Sequence, residues 1–177
     1  MRDVLDRDEI DRHILEWYRL SKGEAIDQSD PFFRFVAAWV AFNAFYSSRM
    51  YDEVGDWNQV RAYAGEPEVV ARHRTLLGTD SEYEQAVKVW SETGVYDTAS
   101  RTHRQIRDAR NLTQVASCLY QVRCNLFHGG KTPGNMRDRL LVVAAFTITS
   151  RLIEGALEIG SEQGAAGQPL GLPTFLS

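Results

Sequence analysis

Residues 31–50, PFFRFVAAWVAFNAFYSSRM, are apolar almost all the way round a helical wheel. Phe32, Phe35, Val36, Trp39, Phe42, Asn43 and Tyr46 fall on one stripe at three- and four-residue steps. Ala37, Ala41 and Ala44 form a second side, small enough for a neighbouring backbone to approach. A helix without a solvated face has to be central and covered by others. Asp30–Pro31 supplies its start: Asp caps, and Pro tolerates the first turn because its missing N–H would have no partner there. The segment therefore reads as a central, buried helix. Asn43 and Tyr46 put polar atoms among apolar ones, and Asn43 reads as an amide tying two helices together, with Trp39 and Tyr46 as structural support beside it.

The remaining pattern agrees. Residues 8–20 carry Ile10, Ile14, Trp17 and Tyr18 at helical spacing, with Gly23 just beyond. Between 50 and 100 three short stripes appear. Asp56 caps the first, with Trp57, Val60 and Ala64 inward; Val69, Val70, His73, Leu76 and Leu77 make the second; Tyr83, Val87 and Trp90 the third. Gly65-Glu66-Pro67, Gly78 and Gly94 punctuate them. Asn135 caps a last long helix with Leu141, Ala145, Ile148, Leu152 and Ile159 as its stripe. No run of strand period stands out. The expected architecture is an all-α bundle of about four longer helices with short helices inserted, one domain over 1–160, followed by a flexible Gly- and Pro-rich tail over 161–177.

Composition narrows the partners. An apolar fraction of 44% over 177 residues suffices for one core. The net charge of −4 provides no global basic field for nucleic acid. Seventeen of the twenty basic residues are Arg, however. Two explanations stand, a compositional bias of the genome and selection for a planar fork that fits phosphate. Cys118 and Cys124 lie six residues apart on one helix, ~9 Å along its axis, too far for a disulfide, and read as thiols of a reducing compartment. The charged N-terminus has no apolar signal core, and the apolar run Leu140–Phe146 is too short to span a bilayer. A cytoplasmic chain with no membrane partner is expected.

Residues 111–131, NLTQVASCLYQVRCNLFHGGK, hold the candidate chemistry. Asn111 caps a helix, and Gln114 suits a reciprocal capping box. Leu112, Ala116, Leu119, Tyr120, Arg123 and Phe127 share a broad face, and Gly129–Gly130 ends the helix. Arg123 therefore lies on the apolar side, where a cation needs a partner or a ligand. His128 follows in the last turn, roughly 140° away around the axis. The two converge only through a bend in the helix or a second copy of the chain. Upstream, Arg101, Arg104, Arg107 and Arg110 recur at three-residue steps and on a helix would form a basic ridge. It reads either as a solvated face with intrahelical ion pairs or as a phosphate-tracking surface. His13 and His73 read as packed or surface side chains. The chain carries no Gly-rich phosphate loop, no HExxH and no zinc-type Cys spacing.

The run Arg123-Cys124-Asn125-Leu126-Phe127-His128-Gly129-Gly130-Lys131 resembles the signature of HEPN domains (higher eukaryotes and prokaryotes nucleotide-binding), an arginine followed after four to six residues by histidine. Its place late in an amphipathic helix, before a basic loop and a final apolar helix, strengthens the likeness, as does the segment from Trp39 to Tyr46, which resembles the buried helix of many bacterial members. Many members carry a polar residue directly after the arginine; here that position is Cys124, and Asn125 comes next.

The resemblance implies a small, usually dimeric bundle, often a metal-independent endoribonuclease of toxin–antitoxin or other defence systems. RNA, a second copy of the chain and a cognate antitoxin would be its partners, and no cofactor is implied. Arg123 would hold phosphate oxygens, His128 would move protons as an imidazole titrating near neutrality, and Asn125 would orient the phosphate or the ring. Lys131, Arg101, Arg104, Arg107 and Arg110 would contact the RNA backbone. The alternative is a non-catalytic bundle of the same kind, serving as a dimerisation or nucleotide-binding module.

Overall fold

The computed structural model describes residues 7–22, 30–50, 52–97, 100–128 and 135–164. The fold is all-α. Its elements run α1 (Arg7–Ser21), α2 (Pro31–Arg49), α3 (Asp56–Tyr63), α4 (Pro67–Thr79), α5 (Ser81–Thr93), β1 (Val95–Asp97), β2 (Thr102–Arg104), α6 (Leu112–Phe127) and α7 (Met136–Gly164). As its composition requires, α2 is the central helix. Asp30 Oδ1 accepts from the Phe32 N–H at 2.7 Å, Pro31 opens the first turn, and ten side chains from Pro31 to Tyr46 are buried. It packs against both α1 and α7, and α7 packs on α5 as well.

The long helix α7 starts on its predicted cap, with Asn135 Oδ1 accepting from the N–H groups of Arg137 (2.9 Å) and Asp138 (3.2 Å). Its portion Met136–Leu157 is long and apolar enough to cross a bilayer by length and composition, and 67% of an 18-residue apolar stretch within it is buried inside the fold. Gly155 leaves room for the Arg72 side chain of α4: a Cβ there would come within 1.9 Å of its Nε. The helix runs through Gly164, so residues 161–164 are helical rather than part of a tail, and the rest of the expected tail lies outside the described residues.

Residues 101–110 depart from expectation. Instead of a helix they form β2 and an irregular loop, with β2 antiparallel to β1 in the register Val95↔Arg104, Tyr96↔His103 and Asp97↔Thr102. Arg104 donates to buried Asp97 from Nε (3.2 Å) and Nη2 (2.8 Å), and the Ser100 N–H adds a bond to Asp97 Oδ1 at 3.3 Å. The reason is a lack of apolar periodicity: Ile106 is the only buried side chain of 101–110, and one anchor cannot seat a helix on a core. Arg101 takes a positive φ of 56°. Gly94, at φ 66°, turns the chain from α5 into β1 in the left-handed region that suits glycine. Gln114 closes no box on Asn111; its side chain accepts from the N–H groups of Arg107 (2.8 Å) and Asp108 (3.2 Å) and pins the loop instead.

Two polar clusters tie the helices together and make the fold sensitive to acid. Glu154 of α7 accepts from Tyr18 of α1, from Lys22 at 3.0 Å and from Arg151 at 3.0 Å, and Arg151 Nε reaches Asp80 at 2.6 Å. Burial alone would raise both carboxyls; hydrogen bonds, from Tyr18 and Lys22 to Glu154 and from the Tyr83 N–H and Arg151 to Asp80, overcome it and hold both below their ordinary values. His73 is fully buried, 2.8 Å from the Tyr83 hydroxyl through Nδ1 and 2.8 Å from the Ala109 carbonyl through Nε2. A carbonyl only accepts, so Nε2 carries the proton and Nδ1 accepts from Tyr83. Burial lowers its pKa from 6.5 despite the Ala109 bond. The unfolded chain binds protons more readily than the folded one at all three groups, so their stabilisation is complete above the unfolded values and is lost as pH falls through the folded ones. The melting temperature should therefore start to drop below about pH 6.5 through His73, and fall again below about pH 4.5 through Glu154 and Asp80. In His73→Gln the upper step should vanish; a melting profile in which it persists would remove His73 as its source.

Candidate functional site around Arg123

Helix α6 is set by its cap and its buried stripe. Asn111 Oδ1 accepts from the Gln114 N–H at 3.3 Å, and Leu112, Val115, Ala116, Cys118, Leu119 and Val122 face the core. Tyr120 and Arg123 are half-buried and Phe127 is 52% exposed, so the face expected from spacing rolls out of the core along the helix. Arg123 stands at that edge, its side chain 27% exposed. Its guanidinium carbon lies over three rings, 5.1 Å from the centroid of Phe127, 5.7 Å from Tyr120 and 5.8 Å from Trp39. Its Nη2 is 3.4 Å from Asp56 Oδ2. Burial opposes its charge, but the Cys124 sulfur, the Asp56 carboxylate and Tyr120 outweigh it, and the group is held as a cation.

Asp56 is the residue sequence reasoning misplaced. Gly55 occupies the N-cap position of α3, no side-chain cap bond forms, and the Asp56 carboxylate turns toward α2 and α6. Its Oδ1 accepts from Asn43 Nδ2 at 3.2 Å and from the Tyr46 hydroxyl. Asn43 Nδ2 also lies 2.5 Å from the Tyr46 hydroxyl oxygen. Asn43 is half-buried and ties α2 to α3. Burial first, then Asp56, push the Tyr46 phenol far above its ordinary value, so it remains a donor. Trp57 packs on Tyr120 at 5.4 Å between centroids, and Tyr120, itself raised to about 12 by burial, bridges it to Trp39 at 6.3 Å. An aspartate in a helix's first turn is already explained by the dipole, so nothing in the spacing signals a partner sixty-seven positions away.

No protein-family model, curated protein or solved structure matches the chain.

The other expected residues divide. His128 takes the C-cap position of α6, its N–H bonded to the Cys124 carbonyl at 3.0 Å and its side chain exposed. Among the described residues its ring meets no partner, and the structure does not bring it against Arg123. Asn125 is not free to orient a phosphate or an imidazole. It is buried, accepts from Gln121 Nε2 at 2.9 Å and donates to the Tyr96 carbonyl at 2.5 Å, tying α6 to β1. Asn125→Ala should lower stability by about 1–3 kcal/mol by leaving that carbonyl unpaired, as a shift in the urea midpoint; an unchanged midpoint would return Asn125 to the list of functional candidates. Lys131 and the Gly129–Gly130 break lie outside the described residues.

The four arginines of 101–110 form no ridge. Arg104 is engaged with Asp97 and, through Nη1, with Ser117 at 2.7 Å, while Arg101, Arg107 and Arg110 are exposed. Arg110 and Arg74 border an open cavity of about 690 Å³ beside Gly65 and Asn111. That cavity lies at the opposite end of α6 from Arg123.

Proposed function

We propose that the chain is a metal-independent endoribonuclease of the HEPN kind, acting in the cytoplasm as a two-fold homodimer. The observation that carries this reading is the pairing, on α6, of a half-buried arginine held as a cation with a histidine left exposed at the helix end. Of the five large apolar side chains exposed among the described residues, four (Phe127, Met136, Leu140 and Val143) flank the α6–α7 connection. A surface of this kind is suited to a second copy of itself. With two α6 helices facing, Arg123 of one protomer and His128 of its partner would line one cleft, which answers their separation around a single helix.

The chemistry follows from the groups. RNA supplies the ribose 2′-OH as nucleophile. His128 moves the proton, and Arg123 stabilises the charge that builds on the phosphate oxygens. Asn125 has no part in this step, and the exposed arginines of the 100–110 loop remain as contacts for RNA. A toxin or defence effector with a cognate antitoxin is the setting that fits, and a small antitoxin or nucleotidyltransferase gene beside this one would support it.

RNA incubated with the protein in EDTA should yield 2′,3′-cyclic phosphate and 5′-hydroxyl ends, and sedimentation at micromolar concentration should give a dimer. A strict metal requirement with 5′-phosphate ends would sink the proposal, as would a monomer. The engagement of Asn125 in a structural tie favours the second reading, a non-catalytic dimerisation or nucleotide-binding module. Failure to cleave any RNA would shift weight to it.

A further inference from the structure

We infer that Asp56 is the positioning residue of the site: clamped by Asn43 and Tyr46 of α2, its carboxylate holds the Arg123 guanidinium end-on through Nη2 and, with Nε buried, leaves the Nη N–H donors it does not engage for an RNA phosphate. The inference rests on the reading above that Arg123 meets a phosphate. It is motivated by a contrast within the molecule. Arg104 gives Asp97 two hydrogen bonds, at 2.8 and 3.2 Å. Arg151 gives Asp80 one at 2.6 Å and Glu154 two, at 3.0 and 3.2 Å. Those arginines are committed to structure. Arg123 is as buried as Arg151, yet its contact with Asp56 is 3.4 Å and its one hydrogen bond among the described residues is a weak one to the Cys124 sulfur at 3.9 Å. Arg123 Nε and Asp56 Oδ2 are both buried without a hydrogen-bond partner.

A planar guanidinium has five donors in a fixed fork. A carboxylate touching one corner restrains the side chain's rotation and compensates its charge without filling the fork. The carboxylate itself cannot swing away, because Oδ1 accepts from both Asn43 and Tyr46. The rings of Trp39, Tyr120 and Phe127 complete the seat. A guanidinium fixed before the ligand arrives loses less entropy when it binds.

The test is binding of a fluorescent 2′-O-methyl RNA oligomer, which lacks the 2′-OH nucleophile, by the parent protein, Asp56→Asn, Arg123→Ala and the double variant, each over a series of salt concentrations. Asn keeps the shape and the Oδ1 acceptor while removing the charge. Asp56→Asn should weaken binding roughly tenfold, and its salt slope should fall by about 0.7, the loss of one phosphate contact on a single strand. The double variant should bind no more weakly than Arg123→Ala alone. A purely structural Asp56 would shift the melting temperature and leave affinity and slope unchanged, which overturns the inference. Tighter binding by Asp56→Asn also overturns it, because Asp56 would then be a competitor for Arg123. Should Asp56→Asn not fold, Tyr46→Phe removes one clamp on Oδ1 and carries the same test, with a smaller loss expected. Cleavage of ordinary RNA, run in parallel, separates the two ideas. A parent that binds the oligomer without cutting RNA defeats the endoribonuclease reading alone. A parent that cuts while Asp56→Asn binds and cuts equally well defeats the role of Asp56 alone. A parent that binds no oligomer defeats both.

Discussion

If the chain is the proposed endoribonuclease, His128→Ala should lower the rate of RNA cleavage by about 10²–10⁴, the usual cost of losing a positioned proton-transfer group. On the same reading Arg123→Ala should cost about 10²–10³ through lost stabilisation of charge on the phosphate oxygens. Single-turnover rates in EDTA measure both. The two variants differ in stability. His128 is exposed, and its removal should leave the melting temperature unchanged. Arg123→Ala uncovers three rings and leaves the Asp56 carboxylate without its counter-ion, so a drop in melting temperature accompanies the loss of activity. A mixture of the two inactive variants adds a geometric check. If the arginine of one protomer works with the histidine of its partner, each mixed dimer contains one intact site and activity returns. Mixing without recovery would place both groups in one protomer. A folded His128→Ala protein that cuts at the parent rate would end the assignment.

Trp39→Ala should destabilise the fold by about 3–5 kcal/mol, read as a shift of the urea midpoint. The indole is buried on the central helix, in ring contact with Phe42 at 5.6 Å, Tyr46 at 6.1 Å and Phe35 at 6.2 Å. Deleting it opens a cavity between α2 and α6 and removes one wall of the Arg123 seat. Against a typical total of about 5–15 kcal/mol, that is a large share of what keeps a domain folded. Trp39→Phe should lose much less, since a ring still fills the space. A midpoint that does not move with Trp39→Ala would mean that α2 is not the centre of the core.

Much of the architecture was legible because it rests on local physics. Asp30, Asn111 and Asn135 each accept from an N–H group two or three residues onward, and such bonds depend on nothing distant. The all-round apolar character of residues 31–50 required a central helix before any neighbour was known. Spacing also put Arg123 on the apolar side of its helix, though only the packed structure shows it at the edge of that face. Where a segment had no such pattern, tertiary structure decided. The four arginines at three-residue steps fit a helix in the abstract, but with Ile106 as their only buried neighbour the segment paired with β1 and handed Arg104 to Asp97. Gln114 went to the loop rather than to its own cap. Asn125, adjacent to the motif in sequence, was drawn to the Tyr96 carbonyl, while Asp56, distant in sequence, was brought to Arg123. Periodicity states which side of an element faces inward and is silent on which element it meets; the pairing of polar groups is settled only when the helices pack, because a buried donor or acceptor takes whatever partner the packing sets beside it.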